Sequence, residues 1–225
     1  MDKYVIIVAG GKGLRMGGEV PKQFMLIGGK PVLARTIELF YRYDPAVRII
    51  LVLPQEQMDY WKKLCLEYDI PRVSALVCGG ETRFHSVRNG LSAITYSDEA
   101  LVAVHDGVRP FVSIAVVADC FKQAELSGAA IPVVGSVESI RYVDSLTGKS
   151  HAENRDAYKL VQTPQTFRLS LLRKAYAQDF QSTFTDDASV VEALGENISL
   201  VSGNRENIKL TTPFDIRVAQ VLLDL

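Results

Sequence analysis

An apolar run at residues 4–9 (YVIIVA) leads straight into Gly10-Gly11-Lys12-Gly13-Leu14-Arg15-Met16-Gly17-Gly18, and Pro21-Lys22-Gln23 follows shortly after. Glycines in such a turn permit positive φ and let backbone N–H groups approach anionic oxygens. At the end of a first parallel strand, this is where α/β proteins hold phosphates. Lys12, Arg15 and Lys22 add positive charge at the rim. They can be read as solvated surface cations, but that reading is weakest for Arg15 and Lys22, which sit in a glycine- and proline-punctuated loop where functional side chains concentrate. Two better-known phosphate signatures do not fit. A dinucleotide fingerprint begun at Gly11 meets Met16 where its third glycine belongs, and a P-loop begun at Gly13 meets Glu19 where its lysine belongs. Neither a nicotinamide or flavin enzyme nor a P-loop ATPase is favoured.

Two more turns of the same kind follow apolar runs. Gly79-Gly80-Glu81-Thr82-Arg83 comes after residues 75–78 (ALVC), with Thr82 suited to cap a helix. His105-Asp106-Gly107-Val108-Arg109-Pro110 comes after 101–104 (LVAV). Arg109 carries the planar fork that meets phosphate oxygens bidentately, whereas His105 reads as a core or turn histidine satisfied by backbone. In Thr185-Asp186-Asp187-Ala188-Ser189 the acidic residues suit a helix start, which assigns Asp187 a structural place and leaves Thr185 to touch a ligand.

Such turns act together only if a scaffold brings them to one edge. Residues 4–9, 49–53, 75–78, 101–104 and 129–134 are apolar on both faces, which predicts buried strands. Between them 32–43, 55–68, 82–94 and 114–126 have helical periodicity; in the second, Met58, Trp61, Leu64, Cys65 and Tyr68 share one stripe. The alternation predicts a Rossmann-like α/β fold, with a mostly parallel sheet and helices on both faces. Past Val134 the pattern breaks. Residues 136–144 and the turn 146–149 read as strand then turn, with 159–162 (KLVQ) as the returning strand. Such an excursion buries little apolar area by itself, so a protruding β-arm at about 136–158, packed on a partner subunit, is expected. Residues 169–180 and 187–194 predict helices, 198–201 a strand, and 213–225 a closing helix with proline in its first turn. The expectation is a single domain over 1–225.

Taken together, Ala9–Met16 (AGGKGLRM) and Pro21-Lys22-Gln23 resemble the G-x-G-x-R-M…P-K-Q signature of sugar- and polyol-phosphate nucleotidyltransferases. The P-K-Q-F ending is most similar to the cytidylyltransferases that act on 2-C-methyl-D-erythritol 4-phosphate. The other motifs extend the likeness over nearly the whole chain. The resemblance implies transfer of CMP from CTP to a polyol phosphate with release of pyrophosphate, assisted by Mg²⁺ on the triphosphate. It implies catalytic roles for Arg15, Lys22 and Lys209. It places Ala9, Gly10, Gly11, Gly13 and Gly107 at the nucleotide, Gly80, Glu81 and Ser86 around the cytosine, and Asp106 near the ribose, the metal or the acceptor. Arg109 would pair with the acceptor phosphate, and Ser139, Arg155, Thr163 and Thr185 would line the acceptor site. Because Arg155 falls in the expected arm, it should reach the neighbouring subunit's site.

The chain departs from the family pattern at Glu81, where Asp is common, at Gly107 and Val108, where one or both are usually Ala, and at Ser139, where Thr is frequent. An enzyme making CDP-ribitol or another CDP-polyol shares the loop, H-D-x-x-R-P and N-I-K elements. Asn154-Arg155-Asp156, Thr163-Pro164-Gln165-Thr166-Phe167 and the Thr185–Ser189 run (TDDAS) look more like the methylerythritol branch. A nucleotide-sensing protein that had lost turnover should lack one charged group, and Arg15, Lys22, Asp106, Arg109 and Lys209 are all present.

Bulk properties agree with a small-molecule enzyme. With 225 residues, 48% hydrophobic and 23% charged, the chain reads as globular, and a net charge of −1 provides no basic field for nucleic acid. Cys65, Cys78 and Cys120 show no zinc-ligand spacing and read as buried, reduced thiols. No stretch approaches the roughly 20 apolar residues of a membrane span, so a cytoplasmic protein is expected; a homodimer is expected from the arm together with the family resemblance.

Overall fold

The computed structural model describes residues 1–10, 20–95 and 99–223. In chain order β1 (Lys3–Val8) leads to a ribbon of β2 (Leu26–Ile27) and β3 (Lys30–Pro31), then α1 (Val32–Tyr43), β4 (Arg48–Leu53), α2 (Met58–Glu67), β5 (Ala75–Cys78), α3 (Arg83–Ser92), β6 (Leu101–Asp106), α4 (Ile114–Ser127) and β7 (Ala129–Gly135). A hairpin of β8 (Ile140–Val143) and β9 (Ser150–Glu153) interrupts the alternation. After it come β10 (Lys159–Val161), β11 (Gln165–Arg168), α5 (Leu169–Tyr176), α6 (Asp187–Glu192), β12 (Ser199–Ser202) and α7 (Pro213–Leu222).

The main sheet runs β10-β7-β11-β6-β1-β4-β5, with β12 also paired to β7. Strands β6, β1, β4 and β5 are parallel, and β11 lies antiparallel between β6 and β7. Central strands with apolar side chains on both faces are stable only when both faces are covered, and here they are. Helices α1, α2 and α4 cover one face around Leu33, Phe40, Trp61 and Phe121, while α3, α5 and α6 cover the other around Phe84, Leu172 and Val191. Each large side chain buried in this way contributes on the order of 2 kcal/mol. The Rossmann-like, mostly parallel architecture expected from the sequence is therefore present. The stripe on α2 is also as expected: Trp61 and Leu64 are buried, and Met58, Cys65 and Tyr68 pack against them.

Three local expectations need correction. Residues 159–162 do not return the arm hairpin; β9 does, pairing Ile140 with Glu153, while β10 joins the main sheet with Lys159 opposite Gly135. The Lys-Leu-Val run suits a sheet edge as well as a hairpin, and β7 offered more backbone to pair with. Strand β6 continues two residues beyond Val104 and takes in His105 and Asp106, both buried. Finally, Cys78 is exposed at the end of β5, whereas Cys120 is buried, with its thiol pushed up to about 12. Among the described residues no helix is long and apolar enough to cross a membrane.

Candidate active site

The last two residues of β6 set the geometry. Successive strand residues face opposite sides of a sheet, so His105 and Asp106 part company. His105 joins the α1 face, where its ring meets Phe40 edge-on at 5.0 Å. Asp106 faces α3 and α6 and becomes the centre of a charge cluster. Its Oδ2 lies 3.0 Å from Lys209 Nζ and 3.1 Å from Arg109 Nε, and its Oδ1 is 4.0 Å from Arg83 Nε. Burial alone would raise the Asp106 carboxyl; the pull of Lys209, Arg83 and Arg109 outweighs it and holds the group well below the usual carboxylate range.

The loop after β6 is held from beneath. A carbonyl oxygen only accepts, so His105 Nε2–H donates to the Arg109 carbonyl at 3.0 Å, and Nδ1 accepts from the Thr163 hydroxyl at 3.0 Å. The Thr163 oxygen in turn accepts from Asp106 N–H at 3.2 Å. Burial pushes the fully enclosed imidazole down to about 4, so it is neutral near pH 7. Asn207 adds a second tie. Its carbonyl accepts from Arg109 Nη1 at 2.7 Å and its side-chain amide donates to the Thr163 carbonyl at 2.8 Å.

Two clefts open at this edge. One, of about 270 Å³, is lined by Ala9, Gly10, Lys22, Gly80, Glu81, Ser86 and their neighbours. The lining residue Ala9 is crowded from behind: a Cβ on Gly107 would stand 2.7 Å from the Ala9 Cβ, so only glycine fits without displacement. Gly80 is equally constrained, since a Cβ there would collide with His85. Ser86 Oγ accepts from Gly80 N–H at 3.0 Å and donates to the Thr82 carbonyl at 2.9 Å, which shapes this turn. Gln23 does the same for the first strand end, donating to the Ala9 carbonyl at 3.0 Å. The second cleft, of about 310 Å³, is lined by Arg109, Gln162, Thr163, Gln165, Thr185 and Asp186 among others. Arg83, Asp106 and Lys209 line both clefts.

A sequence profile of the 2-C-methyl-D-erythritol 4-phosphate cytidylyltransferases matches residues 3–224. The chain belongs to that family. Two similar relatives carry the same name: one from Phocaeicola vulgatus, 56% identical over 99% of this chain and all of the relative, and one from Bacteroides fragilis, 55% identical over the same shares. Among solved structures, the 4-diphosphocytidyl-2C-methyl-D-erythritol synthase of Anaerococcus prevotii superposes with a TM-score of 0.84 at 31% identity, covering 100% of this chain and 96% of the other. The cytidylyltransferase of Francisella tularensis has a TM-score of 0.79 at 33% identity, covering 98% and 99%.

In this member of the cytidylyltransferase family, the two-cleft edge brings together Ala9, Gly10, Lys22, Gly80, Glu81, Ser86, Asp106, Arg109, Thr163, Thr185 and Lys209. Gly107 is not among the residues lining either cleft and packs against Ala9. The expectations for Arg15, Gly11 and Gly13 fall outside the described residues. Ser139 and Arg155 are exposed on the arm and are not among the residues lining either cleft; Arg155 Nη1 donates to the Val137 carbonyl at 2.6 Å. His105 is satisfied internally, as its sequence context suggested, although one of its two partners is Thr163 rather than backbone.

Sequence reasoning missed Arg83. It stands first in α3, directly after the cap Thr82, whose side chain accepts from the His85 N–H. That position at a strand-end turn was the available signal; the partner that holds it, Asp187, lies far along the chain. Asp187 does occupy the first turn of α6, behind a capping box made by Asp186 and Ser189. Its carboxylate, however, is fully buried and engaged by Arg83 and Tyr176.

Proposed function

We propose that the chain transfers CMP from CTP to 2-C-methyl-D-erythritol 4-phosphate, acting as a cytoplasmic homodimer with Mg²⁺ on the nucleotide. The observation that carries the reading is the pair of adjoining clefts with Asp106 and Lys209 at their boundary. The glycine-walled cleft suits a base and triphosphate, and the cleft lined by Arg109, Thr163 and Thr185 suits a hydroxylated phosphate.

In the reaction a phosphate oxygen of the acceptor forms a bond to the α-phosphorus of CTP, and the bond from that phosphorus to the bridging oxygen breaks, releasing pyrophosphate. The acceptor phosphate is already anionic near neutral pH, so no general base is required. The obstacle is the meeting of several negative charges, and catalysis rests on positioning and cationic stabilisation. Lys22 reaches the triphosphate from the turn after the glycine loop, Lys209 stands at the boundary, and Arg109 presents its fork to the acceptor phosphate. Asp106 keeps Lys209 and Arg109 in place until the ligands arrive.

The donor set is compatible with Mg²⁺ held by triphosphate oxygens and water. Asp106 already has two cations within 3.1 Å, and among the described residues no group of three His, Cys, Asp or Glu side chains is placed to hold a metal. Bound there, the ion would neutralise part of the triphosphate charge. The dimer reading is supported by the arm, where Tyr142, Val143 and Leu146 are all exposed apolar side chains that a partner would cover.

Pyrophosphate release from CTP and Mg²⁺, measured with methylerythritol phosphate and with ribitol 5-phosphate, tests the proposal. Faster turnover of ribitol 5-phosphate would assign the chain to that substrate. Tight CTP binding without release would make it a nucleotide sensor.

A further inference from the structure

We infer that Arg83 is a further cation at the point of phosphate transfer and that buried Asp187 is its positioning residue; this rests on the two-cleft reading above. Arg83 shares the boundary between the clefts with Asp106 and Lys209, where the acceptor oxygen must meet the α-phosphorus. Its guanidinium makes two parallel bonds to one carboxylate, Nη1 to Asp187 Oδ1 at 2.8 Å and Nη2 to Oδ2 at 2.6 Å. Asp187 is itself held, because its Oδ1 accepts the Tyr176 hydroxyl at 2.6 Å and the Tyr176 ring stacks on Phe84 with centroids 4.7 Å apart. Arg83 thus stands on a fixed base.

A buried ion pair that merely tied α3 to α6 would explain part of this. It would not explain the exposure: the Asp187 side chain is 0% exposed, but the Arg83 side chain is 30% exposed and lines both clefts. Nor is such a pair an efficient tie, since well-packed apolar residues usually stabilise a protein as well or better. Guanidinium has five N–H donors, and the fork to Asp187 uses one on each terminal nitrogen. Of the three that remain, Nε–H lies on the side of Asp106, with the nitrogen 4.0 Å from its Oδ1, and donors outside the fork suit oxygens of a transferring phosphoryl group. Arg83 touches the substrate in this scheme; Asp187 and Tyr176 act through it.

The test compares full-length wild type, Asp187→Asn and the double variant Arg83→Met/Asp187→Asn. Each is assayed for pyrophosphate release from CTP and Mg²⁺ with methylerythritol phosphate, and for thermal midpoint. The double variant removes both charges together, so no buried charge is stranded, while the amide oxygen introduced by Asp187→Asn can still accept the Tyr176 hydroxyl. We expect it to fold and to lose kcat by about 10²-fold with little change in the KM for CTP. Asp187→Asn should lose about tenfold through misplacement of Arg83. A folded double variant with wild-type kcat and KM would overturn the inference. If the double variant does not fold, wild-type kcat in Asp187→Asn overturns it instead. Absence of turnover in the wild type would be a separate result, removing the underlying reading and this inference with it.

Discussion

Lys209 Nζ lies 3.0 Å from Asp106 Oδ2, joining the segment after the last sheet strand to the end of a central one. The contact closes the boundary between the clefts on one side, and Arg109, 3.1 Å from the same oxygen, closes it on another. Three cations therefore face a single carboxylate whose charge they stabilise, and the cluster is set to receive more negative charge than it holds. Asp106→Asn leaves Lys209, Arg83 and Arg109 to repel one another. The expected result is a KM for the acceptor raised about tenfold or more, with the Mg²⁺ concentration dependence unchanged. A shifted Mg²⁺ midpoint would instead make Asp106 a metal ligand.

Lys22 begins a single turn of helix, Lys22–Phe24, whose second residue, Gln23, is buried and donates to the Ala9 carbonyl. The lysine is thus carried on an anchored base beside the glycine-walled cleft. Lys22→Ala should lower kcat by about 10²-fold or more, the size of one lost transition-state donor. Steady-state turnover at saturating CTP reads this directly, and near-normal kcat would remove the role assigned to it.

His105 has a folded pKa of about 4 against an ordinary value of 6.5. The folded state favours neutral imidazole, so between those values the unfolded chain binds more protons, and stability falls as pH drops from 6.5 toward 4. The contribution amounts to at most about 3 kcal/mol. Asp106 acts lower, since its depressed folded pKa stabilises the fold above the ordinary 3.8 and that stabilisation is lost as pH falls below it. Urea midpoints measured from pH 7 to pH 4 should fall less steeply in His105→Gln than in wild type. Equal slopes would contradict the buried neutral assignment.

Arg155 is exposed on the arm, while Lys22 lines the first of the two clefts. If the arm completes the partner's site, Arg155→Ala and Lys22→Ala should each be nearly inactive. Co-expressed, they should recover about a quarter of wild-type activity, from the one intact site in each mixed dimer. Mixtures that stay inactive would place Arg155 in its own subunit's chemistry, and a fully active Arg155→Ala would place it outside the reaction.

A Cβ on Gly107 would come within 2.7 Å of the Ala9 Cβ and 3.0 Å of Leu33 Cδ1, so a side chain there must displace its neighbours. Gly107→Val should therefore force apart the ends of β1 and β6 and raise the KM for CTP more than that for the acceptor. Equal effects on both would show that the disturbance is not confined to the Ala9 side.

Much of this was legible in the sequence because it depends on neighbours along the chain. All-apolar runs predicted β1, β4, β5 and the start of β6, helical stripes predicted α1 and α2, and glycine turns after strands located the edge where the clefts open. Lys22, Asp106, Arg109 and Lys209 were marked by their motifs. The limits of β6 were less visible, since His105 and Asp106 are polar and become strand residues because β1 pairs with them, Ile7 opposite His105 and Val8 opposite Asp106. The return of the arm was misplaced for a similar reason: residues 150–153 (SHAE) have little strand character of their own, and pairing with β8 recruits them. What only the tertiary structure decided are contacts between distant segments. Thr163 holds His105 from beneath, and Asp187 carries Arg83 into the boundary between the clefts. Neither pairing has a local signature, because a side chain's role there is set by which strand end or helix start folds against it, and sequence spacing does not encode that distance.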